Sequence, residues 1–365
     1  MSISLDPVWT PDRLAALRLA MAWQFGASAR RDLWDRAPNP VTWPSLPWLT
    51  DTQRQAMQDV LARNVVDDAR LLDEAGIRFL RPLDSEFPSG LSREPDPPFA
   101  IFVRGAPVSD GIRVAIVGTR RMTSYGRRAA ELVSGELARH GVTIVSGLAI
   151  GIDGAAHAAC VESSGRTIAV LPGGVDEASI VPRRHLPLAE RILTTGGALL
   201  SEHAPTTPVH PYHFLHRNRL IAALADAVVV VEADHDSGAL VTAKLALECG
   251  REVLAVPGSL WSPASRGTHD LIRQGARICG GADDVFSALN LSHPSHAKQI
   301  SDARSAIPVS DDERRILDGL REPCTLDELA RAVDEPIATV SAIMSLLELK
   351  GRVVSVGPRM FAKAP

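Results

Sequence analysis

The stretch RVAIVGTRRMTSYGRR, residues 113–128, decides the fold. Val114-Ala115-Ile116-Val117 is apolar without alternation, the pattern of a strand buried on both faces. It ends in Gly118-Thr119-Arg120. Thr123 or Ser124 can cap a helix whose apolar positions Ala130, Val133 and Leu137 recur at helical spacing, and Gly141 can end it. A buried strand that delivers glycine and arginine to a helix start points to an anion. Free backbone N–H groups attract it, Gly118 lets it approach the backbone, and Arg120 offers a forked donor suited to phosphate. The bland reading of Arg120 is a solvated surface cation. Its place at the ligand-binding edge of a parallel sheet favours phosphate.

Outward from this stretch, apolar runs at 142–146, 167–171, 198–201, 227–232, 252–256 and 276–279 alternate with helical patterns. Such alternation predicts an α/β fold with a doubly wound parallel sheet over 112–289. Residues 1–75 read as a small helical domain. TPDRLAALRLAMAWQF has an N-cap and a first-turn proline, and a Trp/Pro-rich turn separates it from a second helical segment. Residues 76–111 are proline-rich, with short apolar runs at Ile77–Leu80 and Ala100–Val103, and read as a connector packed on the core. Residues 290–308 are polar and aperiodic, a linker. Over 309–365, two capping boxes (Ser310 with Glu313, Thr325 with Glu328), a longer helix from Ile337 to Lys350 and a hairpin turning at Gly357-Pro358 predict a winged helix.

The 365-residue chain is 45% apolar and 22% charged, as in soluble globular proteins. Its net charge of −4 restricts any nucleic-acid surface to a local patch. At 4% aromatic residues, a site built mainly on base stacking is not expected. Cys160, Cys249, Cys279 and Cys324 form no CxxC pair, which fits a reduced compartment without a zinc ribbon. With neither an apolar signal core nor a membrane-length apolar run, a cytoplasmic protein with no membrane partner is expected.

Several further stretches carry chemistry. In SGLAIGIDGAAHAAC, Gly147, Gly151 and Gly154 crowd a strand-to-helix turn and Asp153 is placed to cap the helix, but the spacing is not GxGxxG. LPGGVD puts Gly173 and Gly174 at the next strand's end. Glycine turns on successive strands at one sheet edge predict a shared crevice. In HPYHFLHRNRLIAAL, Arg217 and Arg219 lie near a helix start, where cations are disfavoured unless a polyanion is bound. His203, His210, His213 and His216 raise the question of a metal. No cysteine lies nearby and Pro211 breaks regularity, so neither a metal nor another cofactor is expected. Ser237 and Gly238 open another helix, and Arg266 lies on a further loop. Neither GxxxxGK[ST] nor GxSxG occurs. PGGVD resembles the start of the PGGxGTxxE motif of nucleotide phosphoribohydrolases, but Asp176 stands where Gly-Thr is needed. The crevice therefore reads as built to hold phosphates and not to cut bonds. A phosphoribohydrolase-like nucleotide-processing enzyme is the alternative.

The ordered series VAIVGTR, YGRR, IVSGLAIGID, AVLPGGVD, GALLSE, HFLHRNRLIAAL, SGALVTA, AVPG and SPASRGTHDLI resembles the DprA/Smf family over nearly the whole chain. The resemblance implies an extended Rossmann-like core, a helical sterile-alpha-motif-like N-terminal domain and a C-terminal winged helix. It implies sequence-nonspecific binding and protection of single-stranded DNA, dimerisation through the core, and loading of RecA onto DNA in transformation and recombination, with no enzymatic activity. Carried onto this chain, it assigns nucleic-acid contact to Gly118, Thr119, Arg120 and to His216, Arg217, Asn218 and Arg219. Gly147, Gly173, Gly174, Ser237, Gly238 and Arg266 line the expected site, with Arg121 beside it. Two positions depart from the pattern. Ile150 stands where SGLARGID carries arginine, and His216 replaces a lysine or arginine. Arg121, Arg127 and Arg128 are the cations at hand to compensate.

Overall fold

The computed structural model describes residues 8–37, 39–108, 111–291, 310–320, 322–350, 352–357 and 360–363. Met1–Asn290 and Leu291–Pro365 form two compact units. In the first, helices α1 (Pro11–Met21), α2 (Ala27–Arg36), α3 (Asp51–Ala62) and α4 (Val65–Glu74) precede the sheet. Thr10 caps α1 ahead of Pro11, and Thr50 with Gln53 closes a capping box on α3.

The sheet has nine strands. β1 (Ile77–Leu80) and β2 (Ile101–Gly105) are followed by β3 (Arg113–Val117), β4 (Thr143–Ser146), β5 (Thr167–Val170), β6 (Ala198–Ser201), β7 (Ala227–Val230), β8 (Glu252–Ala255) and β9 (Arg277–Ile278). The short helix α5 (Ser89–Ser92) lies between β1 and β2. The others are α6 (Ser124–Arg139), α7 (Ile152–Glu162), α8 (Leu186–Thr194), α9 (Pro211–Leu224), α10 (Gly238–Glu248), α11 (Arg266–Arg273) and α12 (Ala282–Ala288). Strand order is β1-β2-β6-β5-β4-β3-β7-β8-β9, parallel from β6 through β9. The seven parallel strands fall within a residue or two of the apolar runs. Every residue of β3, β5, β6 and β7 is buried, as unalternating strands between two helical layers must be. Neighbouring residues go to opposite cores. Ala169 and Leu199 pack with the N-terminal helices and α8, whereas Ile168, Val170, Ala198 and Leu200 pack with α9 and α10.

Two expectations change. The segment 76–111 is no mere connector, because β1 and β2 pair antiparallel with each other and β2 pairs antiparallel with β6, extending the sheet. The helical segment 1–75 has no separate core. Leu17, Trp43 and Met57 join Phe79 and Phe102 of these added strands and Leu199 of β6 in one cluster. No helix among the described residues is long and apolar enough to cross a membrane.

The second unit holds α13 (Asp311–Gly319), α14 (Leu326–Val333) and α15 (Ile337–Leu349), with β10 (Cys324–Thr325), β11 (Val353–Gly357) and β12 (Met360–Lys363) in the order β10-β12-β11. Both capping boxes form. Ile316, Leu329, Val340, Met344 and Leu347 make its core. Three helices with a β-wing are the winged-helix arrangement. Residues 292–308 of the expected linker and Pro358 of the expected turn lie outside the described residues.

Candidate nucleic-acid interface

Strand order reverses between β3 and β7, and a crevice of about 390 Å³ opens beyond their carboxyl ends. It is built by interlocking loops. The Thr119 N–H donates to Glu232 O (2.7 Å), and the Ile152 N–H donates to Thr119 O (3.3 Å). Gly151, with φ +92°, makes this possible: a Cβ there would sit 2.3 Å from Thr119 O. On the β4 side, Leu148 is held in the left-handed region (φ 55°). Its N–H donates to His157 Nε2 (3.3 Å), and His157 Nδ1–H donates to Thr167 Oγ1 (2.7 Å), which in turn donates to Ile144 O (2.8 Å). Burial, with His185 and Arg217 nearby, pushes the His157 pKa down to about 3, so the ring is neutral.

The anion at the α6 start proves to be internal. Thr123 caps the helix by accepting from the Gly126 N–H (3.1 Å). The buried carboxylate of Glu232, two residues past β7, accepts from the Thr123 N–H (2.9 Å) and hydroxyl (2.5 Å). Gly126 lacks a side chain because Glu232 fills that space, 2.1 Å from where its Cβ would be. What remains for an outside anion is Arg120. It is exposed at the crevice mouth with its guanidinium 4.8 Å from the Phe214 ring centroid, a cation–π contact. Arg121 is exposed beside it.

Of the fourteen residues expected at the site, Gly118, Thr119, Arg120, Arg121, Arg217, Asn218, Ser237 and Gly238 line this crevice. Arg217 lines it from inside. It is 6% exposed and donates to Gly147 O (2.6 Å) and Val170 O, while its Nε donates to Asn218 Oδ1 (3.2 Å). Burial lowers its pKa to about 10, which leaves it charged. Asp153 does not cap α7. It is buried and accepts from the Gly147 N–H (3.1 Å), with burial raising its pKa against the pull of Arg217. Ser237 caps α10, accepting from the Ala239 N–H (3.3 Å).

The other six do not line it. Arg219 is 7% exposed and is committed to Glu94 (2.8 Å) and Glu202. Arg219 is the ninth of the fourteen residues of α9 and not at its start, and these ion pairs, not a bound polyanion, neutralise it. Gly147 is packed under the Arg217 guanidinium, and Gly173 and Gly174 are packed under Val209 and against Pro205 and Asp176. These three glycines serve internal packing and do not share the crevice. His216 and Arg266 are exposed outside it. His203 and His213 stack at 4.1 Å and His210 stacks on Trp23 at 4.8 Å. Burial pushes His203 down to about 3 and His213 to about 4. No group of three His, Cys, Asp or Glu among the described residues is placed to hold a metal.

Sequence reasoning missed Glu232 and Phe214. Glu232 follows an apolar run and carries no motif, whereas Phe214 stood inside the quoted HFLHRNR. Three aromatics stand near this edge: Phe214 lines the crevice, and Tyr125 and Tyr212, both exposed, stand on the first turns of α6 and α9.

Comparisons with known proteins agree with the fold. The family model for DNA recombination-mediator protein A matches residues 78–290, and that for the DprA winged helix domain matches 301–357. The DNA processing protein DprA of Bacillus subtilis is 44% identical over 218 residues, covering 59% of this chain and 72% of its own. Protein Smf of Escherichia coli is 38% identical over 315 residues, covering 84% and 83%. The X-ray structure of DprA from Streptococcus pneumoniae superposes with a TM-score of 0.62 at 29% identity, covering 76% of this chain and 98% of that one. A structure describing the single-stranded DNA binding mode of DprA from Helicobacter pylori superposes with a TM-score of 0.52 at 30% identity, covering 58% and 95%.

Proposed function

This chain belongs to the DprA/Smf family of DNA recombination mediators, and on that premise we propose that it binds single-stranded DNA without sequence preference at the crevice beyond β3 and β7 and loads RecA onto the bound strand. The observation that carries the reading is Arg120. An exposed guanidinium, steadied over Phe214 at the mouth of a crevice, is placed for a charge-assisted contact to backbone phosphate. Arg121 extends the cationic rim. Phe214 offers an aromatic face that a base of any identity can use, whereas Gly118 packs under Ile152 and the Thr119 N–H is bonded to Glu232 O, so these two shape the crevice floor. Dimerisation through the core and a cytoplasmic setting follow from the family and belong to the same proposal.

The alternative, a phosphoribohydrolase-like enzyme, is disfavoured by a specific feature. The PGG turn that would start its motif is packed against Val209 and Pro205 and lines no part of the crevice.

The test is binding to single- and double-stranded oligonucleotides over a salt series, with Arg120→Ala beside the wild type. Single strands should bind more tightly with length and more weakly with salt. Loss of one charge-assisted phosphate contact, about 1.5–3 kcal/mol, lowers affinity tenfold or more. A folded Arg120→Ala protein with wild-type affinity removes Arg120 from the site.

A further inference from the structure

The chain has six tryptophans, five of them within the first 48 residues and the sixth at position 261. Trp261 is 93% exposed and Leu260 beside it 84%. A tryptophan carries the largest apolar surface of any side chain, so such exposure is a mark of binding when the backbone beneath it is fixed. Here it is fixed. The loop leaves the carboxyl end of β8, which lies parallel to β7 and so opens at the crevice edge. The Tyr125 hydroxyl donates to Pro257 O (2.5 Å), and His269 Nε2 donates to Gly258 O (3.1 Å). The Trp261 N–H donates to Ser259 Oγ (3.2 Å). Ala233, next to the crevice residue Asp234, donates to Ala264 O and accepts from the Gly267 N–H, both at 2.8 Å. Among the described residues, the Trp261 ring stacks on no aromatic or cationic side chain.

We propose that Trp261 is a base-stacking platform that carries a bound single strand beyond the crevice, past the arginine-bearing first turn of α6; this rests on the crevice taking single-stranded DNA. Charge selects this occupant. Arg128 lines a groove of about 320 Å³ with Tyr125, Val256 and Pro257, at the base of the Trp261 loop. Arg127 beside it and Arg266, five residues beyond Trp261, are both exposed. An exposed aromatic on a loop whose base meets a cation-lined groove matches a strand that alternates flat apolar bases with phosphates, and stacking accepts every base. The path is continuous. Arg120 and Arg121 line the crevice, and Tyr125 on the following helical turn bonds the loop that carries Trp261.

The test is anisotropy binding with oligothymidylates of increasing length, using the full chain, Trp261→Ala and Trp261→Phe. Trp261→Ala should melt as the wild type does, since the ring is exposed. It should lose about 5- to 150-fold in affinity for long strands and little for strands that fill only the crevice. Trp261→Phe should keep most of the affinity and lose the quenching of tryptophan emission on binding. Equal affinity of the wild type and Trp261→Ala for long strands overturns the proposal. So does a loss independent of length, or a change in oligomeric state at unchanged affinity, which would make the ring a protein contact. A wild type that binds no single strand at any length overturns the crevice reading itself, so the two failures are distinguishable.

Discussion

Arg217→Ala separates a surface phosphate ligand from an internal brace. A ligand arginine can be removed at little cost to the fold. Arg217 instead holds two loop carbonyls, Gly147 O after β4 and Val170 O at the end of β5, and steers Asn218. Its removal leaves both acceptors buried without a charged donor. Each such loss costs about 1.5–3 kcal/mol, partly offset where water enters the vacated space. It also takes from buried Asp153 the cation that opposes its desolvation. Breaking a buried charged arrangement from one side typically costs about 3–5 kcal/mol, and that is the loss expected here. Unfolding entropy near 2.1 cal/mol/K per residue gives a unit of about 290 residues roughly 0.6 kcal/mol per degree, so the melting temperature should fall by about 5–8 °C.

The pH dependence of this loss has a definite sign. Asp153 already binds its proton more tightly folded than unfolded. Without Arg217 its folded pKa rises further. A carboxyl with a raised folded pKa weighs against folding where it must ionise, so the deficit of Arg217→Ala should shrink as pH falls from 7 towards 5. Scanning calorimetry of the two proteins at both pH values checks this. A variant that melts with the wild type at pH 7 and yet loses single-strand binding would refute the reasoning and return Arg217 to the surface.

Ile150→Arg places a cation on an exposed loop position that touches the Thr119–Arg120 turn through Gly151; it should tighten single-strand binding and steepen the log–log salt slope by about 0.7, and an unmoved slope takes this position off the strand's path. His157, with a folded pKa near 3 against 6.5 unfolded, takes up its proton in the unfolded state first, so stability is lost as pH falls below 6.5; its share between pH 7 and 5 is about 2 kcal/mol, and denaturant melts of wild type and His157→Gln at the two values should differ by that amount. His203 and His213 push the same way. Deleting 309–365 should leave most single-strand affinity intact, because that segment carries ten acidic and eight basic residues and α15 has no cation before Lys350, whose ammonium is bound by the Glu313 carboxylate at 2.7 Å. A folded truncation that no longer binds shows the opposite.

The parallel sheet was legible because a strand buried on both faces leaves a run with no polar break, as 114–117 and 227–230 do. The antiparallel pair was not. β1 and β2 are short, stand among prolines, and are recognisable as strands only through β6, about a hundred residues further on. The placement of Arg120 at the crevice was legible because a residue just past a buried parallel strand must emerge at the sheet's carboxyl edge. Arg219 was misread because its partner Glu94 lies 125 residues away, and an ion pair of that span leaves no local pattern. The glycine turns were misread for a related reason. The side chain that fills the space over Gly147 comes from α9, and those over Gly173 and Gly174 from other loops. Sequence spacing shows that a glycine is needed without showing whether a ligand or a neighbour occupies the space.

On the proposed function, this division of labour among the cations decides where a strand can run. Of the five positions at which the family pattern supplies a positive side chain, two, Arg217 and Arg219, are spent inside the fold. At two others this chain has Ile150 and His216, the latter outside the crevice. Arg120 alone is left in the expected place. The exposed Arg121, Arg127 and Arg128 follow it in the chain, at and after the turn into α6, while exposed Arg266 lies outside the crevice, five residues beyond Trp261. Asp234 and Asp236, in the loop after β7, also line the crevice and repel phosphate. A polyanion laid across this edge therefore finds attraction at Arg120 and along the start of α6 and local repulsion at the loop between β7 and α10, which orients its phosphates over α6 and its bases towards Phe214.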